Sequence, residues 1–276
     1  STASSRSRPS SSTISTRGIL VPVFNREDHP HCRAAPRFGL EIELSTGFEF
    51  ERGDFGTGSQ IKKTTLPLAV GATSGRIRAS AQLPWVRVTA PGNVIAPTGP
   101  LGLPILVDPT RSATRSTREG LGDLRVGAAY DLPVQGVFVS VRAGAKLPTG
   151  SVTKGLSTGK ADYSVGADLA KPLGVVTPFA GLTYTVTGDP EGFELRNSFS
   201  GQAGAALRVS KSANAQLGYA YAQSPNRTGE NDQRIVGGVN AGVSKSLSLG
   251  VYGSGGLSPG APDVGGGVTL GLKFGR

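Results

Sequence analysis

From Tyr163 to Leu169 the chain changes character at every step. Tyr163, Val165, Ala167 and Leu169 are apolar or aromatic, and Ser164, Gly166 and Asp168 stand between them. The same period runs through LRVGAAYDL, where Leu124, Val126, Ala128, Tyr130 and Leu132 alternate with Arg125, Gly127, Ala129 and Asp131. In VFVSVRAGAKL, Val137, Val139, Val141, Ala143, Ala145 and Leu147 alternate with Phe138, Ser140, Arg142, Gly144 and Lys146. Successive side chains of a strand point to opposite faces, so each segment predicts a strand with one apolar and one polar face. The pattern predicts strands near 38–52, 60–72, 75–88, 120–132, 136–147, 160–172, 175–187, 197–209, 213–223, 232–243, 246–256 and 263–274. That makes about twelve.

The connections fall into two classes. Short ones lie around Ser74 and at 131–136, 171–174, 210–213 and 244–246; longer ones span 89–119, 147–159, 188–195 and 223–232. They alternate along the chain, as tight turns and long loops do in an up-and-down outer-membrane barrel.

Composition decides what the apolar faces meet. Of 276 residues 41 are Gly, only 6% are aromatic, and there is no Met and a single Trp. A second packed sheet would need bulkier inward residues to reach interior density. Lipid can supply the missing apolar partner instead, leaving the other face to a polar lumen. No run approaches the roughly 18–20 apolar residues of a spanning helix; GILVPVF, from Gly18 to Phe24, is short and broken by Pro22. Open strand edges cannot persist in hydrocarbon, so the sheet must close. The expected fold is all-β: a closed antiparallel up-and-down transmembrane β-barrel. The final strand agrees, with Val268, Leu270, Leu272 and Phe274 on one face and Thr269, Gly271 and Lys273 on the other. Trp85, Tyr184 and Tyr221 fall toward long-loop ends and Tyr130 near a short turn, where interfacial aromatics belong.

Three motifs carry a resemblance. Gly120 to Asp123 reads Gly-Leu-Gly-Asp, Lys146 to Gly150 reads Lys-Leu-Pro-Thr-Gly, and Ser157 to Lys160 closes the following loop. Together they resemble the outer-membrane transporter family labelled "MetA-pathway of phenol degradation". The resemblance covers residues 38–276 in organisation and about fifty residues in specific motifs. It implies an outer-membrane barrel of the Gram-negative envelope with no established catalytic residue.

Residues 1–37 stand apart as a Ser/Arg-rich extension, expected to be disordered or plug-like. They hold six Arg against two acids, +4 of the chain's +10. Without a hydrophobic region this segment is not an intact secretory signal. It contains both histidines, His29 and His31, beside the lone Cys32. Three ligand types within four residues, with no fourth partner elsewhere, make a weak metal signal, and no metal or cofactor is expected. Ser-based catalysis would need a base beside it, and no His lies in a strand, so no enzyme is expected. The remaining basic residues are spread through alternating positions rather than gathered in a patch, which argues against nucleic acid as a partner.

The polar faces hold the candidate chemistry. Glu41, Glu43, Glu49 and Glu51 share one face of the first strand. Lys63, Arg76, Arg78, Arg125, Arg142, Lys146, Arg208, Arg234 and Lys273 are expected inside on other strands, with Asp123, Asp131, Asp162 and Asp168. Opposed rings of charge can select polar solutes, and the cations tilt the reading toward anions; the same groups could instead pair and brace the wall. The stretch 89–119 is too long for an ordinary connection, and its Ile95, Leu101, Leu103, Ile105 and Leu106 are too apolar for a freely solvated one. These five residues are candidates for a gate at the mouth. The functional expectation is a passive outer-membrane channel for small solutes, aromatic or anionic, with lipid as its surroundings and both termini periplasmic. The alternative is a non-conducting structural or interaction barrel acting through its loops.

Overall fold

The computed structural model describes residues 39–96 and 105–275. The Ser/Arg-rich extension, with His29, His31 and Cys32, therefore lies outside the described residues, as do Leu101 and Leu103 of the long loop.

Fifteen strands follow one another in chain order. They are β1 (Leu40–Gly53), β2 (Ile61–Ser74), β3 (Ile77–Pro91), β4 (Val94–Ile95), β5 (Leu106–Val107), β6 (Arg115–Leu121), β7 (Leu124–Leu132) and β8 (Phe138–Leu147). The rest are β9 (Asp162–Ala170), β10 (Val176–Val186), β11 (Ser198–Arg208), β12 (Ala213–Ala222), β13 (Asp232–Gly242), β14 (Leu247–Gly256) and β15 (Val264–Phe274). Strands β4 and β5 form a separate hairpin within the long loop. Strands β6 and β7 both pair with β3, one above the other, and act as a single staved element. Every other strand pairs antiparallel with its sequence neighbours, and β1 pairs with β15. The result is a closed twelve-strand antiparallel barrel.

The break between β6 and β7 has a local cause. Pro84 of β3 has no N–H to give the ladder, and opposite it the chain swings inward at Gly122 and Asp123, whose amide at Gly122 donates to the Pro84 carbonyl at 2.8 Å. Residues 89–91 of β3 and 115–119 of β6 were expected in the long connection rather than in strands. They read Thr-Ala-Pro and Arg-Ser-Thr-Arg-Glu, so the period-two hydrophobic signal fails where the hairpin rises out of the apolar band.

The two faces separate cleanly. Along β1, Ile42, Leu44, Phe48 and Phe50 are exposed while Glu43, Ser45, Glu49 and Glu51 are buried. Leu68, Val165 and Leu217 are each about 60% exposed, an arrangement water would penalise and hydrocarbon rewards. Aromatic outward positions gather toward the long-loop end: Phe48 and Phe50 are exposed there, and Tyr184 stacks at a tilt on Phe199 with ring centroids 4.9 Å apart. Both ends of the barrel, Leu40 of β1 and Phe274 of β15, lie on the short-turn side, since Ile42 pairs with Phe274 and Leu40 with Ser74.

Candidate functional site

The inward face of the barrel is polar and charged, and its charges are arranged in groups. Near the short turns, Arg78 on β3 donates to Asp131 at 2.6 Å and to Ser140 at 2.9 Å. Arg142 on β8 is bonded to Asp168 and donates to Thr183 on β10 at 2.5 Å. Lys273 lies opposite Glu43 in the β1–β15 register, with Nζ 4.0 Å from its carboxylate.

Toward the long loops the groups are more deeply buried. Lys146 sits 2.8 Å from Asp162 and 3.7 Å from Asp123, and donates to Thr158 at 3.2 Å. Asp123, fully buried, also accepts the Gly150 amide at 3.0 Å, and Asp162 accepts the Gly188 amide at 3.0 Å. The Lys-Leu-Pro-Thr-Gly and Gly-Leu-Gly-Asp motifs thus meet: the aspartate of one fixes the backbone of the other. On the opposite wall, Arg234 of β13 reaches across two strands to Glu51 of β1 at 3.0 Å and is bonded to Asp232. Glu51 in turn faces Lys63 in the β1–β2 register.

Of the sequence candidates, Glu43, Glu49, Lys63, Asp123, Lys146, Asp162 and Arg234 are buried in the interior; Arg78, Arg125, Arg142, Asp168, Arg208 and Lys273 are half-buried on the same face. Glu41 is exposed at the start of β1, and Arg76 is exposed in the turn between β2 and β3. Asp232, Arg118 and the inward aromatics Phe179 and Tyr252 belong to the same surface and were not singled out from the sequence. Asp232 shares the parity of Arg234, which could have disclosed it; Arg118 fell in a segment read as loop.

Side chains lie along this wall where a glycine makes room. A methyl on Gly181 would collide with Oδ1 of Asp168, and one on Gly204 would come within 2.8 Å of Cζ of Phe179. Small neighbours therefore let these two side chains lie along the wall.

The mouth on the long-loop side is built differently. Inward residues at the top of β2 and β3, namely Ile61, Val86, Val88 and Ala90, form one apolar cluster with Phe55, Leu156, and Val94 and Ala96 of the β4–β5 hairpin; Ile105 packs against it. Leu106 is fully buried and Ile95 nearly so. Each such aliphatic side chain gains roughly 1.5–3 kcal/mol from burial, which holds the hairpin against the inner wall. Polar ties add to this. Ala96 donates to the Gly155 carbonyl at 3.0 Å, Arg111 to the Val152 carbonyl at 3.2 Å, and Arg118 to the carbonyls of Pro91 and Gly92, both at 3.3 Å. Burial, reinforced by the nearby charge of Arg111, pushes the Arg118 guanidinium below its ordinary pKa. Asp108 is held below the ordinary carboxylate value, mainly by hydrogen bonds from the Thr110 hydroxyl and amide.

A family model described as "Putative MetA-pathway of phenol degradation" matches residues 37–274. Among solved structures, an outer membrane channel from Pseudomonas putida F1 superposes with a TM-score of 0.64 at 14% identity, covering 90% of this chain and 99% of that one. The translocator domain of the autotransporter NalP from Neisseria meningitidis gives 0.51 at 17% identity, covering 90% and 91%. No curated protein matches the sequence. At these identities the structural likeness speaks to the fold: an outer-membrane barrel.

Proposed function

Because the chain belongs to that family of outer-membrane barrels, we propose that it is a passive channel for small solutes, with a preference for anionic or aromatic ones. The observation that carries this reading is the contrast between a polar, charge-lined wall and an apolar hairpin folded against one sector of the mouth. Twelve strands enclose a bore between those of filled barrels of about eight strands and open porins of about sixteen. Arg118 at the mouth, held by backbone carbonyls rather than by an acid, and Arg208 with an unbonded buried Nε near the short turns, favour anions at both ends. The Phe179 and Tyr252 rings on the wall offer apolar surface to a flat solute. In this reading the long loops face outside, the short turns and both barrel ends face the periplasm, and Ile95, Ile105 and Leu106 help to narrow the entrance.

Planar-bilayer recordings test it. Step currents with an anion-selective reversal potential are expected, and deletion of Asn93–Asp108 is expected to raise single-channel conductance. A correctly folded deletion with unchanged conductance would remove the hairpin as the constriction. Absence of step currents and of solute-driven liposome swelling would replace the channel with a non-conducting barrel acting through its loops.

A further inference from the structure

Just above the apolar band, the outer wall carries a row of cations confined to one sector. Arg52 on β1 and Lys62 on β2 are direct partners in the antiparallel register, both exposed. Lys62 is in turn opposite Thr89 on β3, and Thr89 is opposite Thr117 on β6, their hydroxyls 2.9 Å apart. One rung nearer the membrane, Arg87 is paired with Glu119 at 2.8 Å. One rung farther out, Arg115 reaches back to the Gln60 carbonyl at 2.8 Å.

Two features of this row call for an anion. Like charges directly opposite one another destabilise a strand pair, yet Arg52 and Lys62 stand so with no hydrogen bond or ion pair from a described residue. The row is also set at a particular height: Trp85 and Leu121, partners in the β3–β6 register, lie immediately below Arg87 and Glu119. Tryptophan marks the level where hydrocarbon gives way to headgroups. Toward the long-loop ends of β9, β11 and β12 the outward residues are Tyr163, Phe199 and Tyr221, without charge. Among the described outward strand residues at this end of the barrel, the cations therefore fall on β1, β2, β3 and β6.

From this we infer that the outer face of β1, β2, β3 and β6 binds the phosphate groups of outer-leaflet lipids, with Arg52 and Lys62 as the central pair and the Thr89–Thr117 hydroxyls beside them. The inference rests on the reading that the long loops face outside. Strand spacing of about 4.8 Å spreads the four positions over roughly 14 Å, wide enough to engage two phosphates on one saccharide headgroup.

The test uses the purified full chain in detergent, offered diphosphorylated lipid A or the same lipid after phosphatase treatment, with retained lipid counted by native mass spectrometry. The phosphorylated lipid should be retained preferentially. Cationic residues near an anionic surface are each worth enough that the double variant Arg52→Ala/Lys62→Ala should lose this preference roughly tenfold to thirtyfold. The charge-conserving Arg52→Lys/Lys62→Arg should keep it. Heat-modifiable gel mobility identifies folded protein; if the double variant fails to fold, Lys62→Gln alone should show a smaller loss in the same direction. Equal retention of both lipids, or an unchanged preference in the folded variants, overturns the inference. Displacement of the lipid by equimolar inorganic phosphate overturns the lipid assignment in favour of a free-anion site. Conductance is read separately: a barrel without step currents that still prefers phosphorylated lipid refutes the channel and leaves the lipid site standing.

Discussion

Val165 and Ser164 are adjacent in the chain and belong to different solvents. Val165 stands on the lipid side of β9, and Ser164 faces the interior. An arginine at Leu217, central in the apolar band, should cost about 2–4 kcal/mol in a urea-unfolding measurement made in lipid, and one at Val165, nearer the long-loop rim beside Tyr184, somewhat less. The same change at Ser164 should instead alter conductance with a smaller loss of stability; equal losses at both positions would contradict the assigned faces. Outside the membrane, Asp108 offers a pH test. Its folded-state carboxyl lies below the ordinary value of 3.8 through its Thr110 hydrogen bonds. The stabilisation is therefore fully present above that value and is lost as pH falls through and below it. Protection factors of the β4–β5 hairpin amides, with the intrinsic pH dependence of exchange divided out, should fall below about pH 4 in the native chain, and Asp108→Asn should be less protected with little further change on acidification.

At the scale of the element, the Lys146 group ties β7, β8 and β9 to the loop between β8 and β9. Replacing Lys146 by Met leaves Asp123 and Asp162 buried without their shared cation. The loss should be about 3–5 kcal/mol in unfolding free energy, since stripping one partner from a buried ion pair strands the other. Replacing Lys146, Asp123 and Asp162 together by apolar residues should recover much of it. How far such elements could be read from the chain depended on what the period-two signal measures. Where one face meets lipid, the alternation is strong, and strands such as β7, β8, β9 and β15 are plain in the sequence. Where β3 and β6 rise above the lipid, Thr89, Arg115 and Thr117 replace the apolar residues and the strand becomes invisible. Inward placement of Arg142 or Lys146 follows from parity alone. Their partners do not, because Asp168 and Asp162 sit on the adjacent strand at heights fixed by register, and register is set by turn lengths that composition cannot weigh. The reach of Arg234 to Glu51 across two intervening strands lay further still beyond any local pattern.

For the whole molecule, closure is the property that matters, and it rests on one ladder between β1 and β15. Cysteines at Thr46 and Leu270, which are register partners, should crosslink under mild oxidation in a Cys32→Ser background, whereas Thr46 with Leu249 on β14 should not. Failure of the first pair in folded protein would show an open sheet. The same ladder has a consequence for biosynthesis. Its two strands are separated by nearly the entire chain, and contacts this distant form late. The first strand has no permanent neighbour on one side until the last has been made and delivered. Until then an apolar, half-paired edge must be kept from other chains, so the protein has to travel as a client of holding factors and to reach its membrane still unzipped.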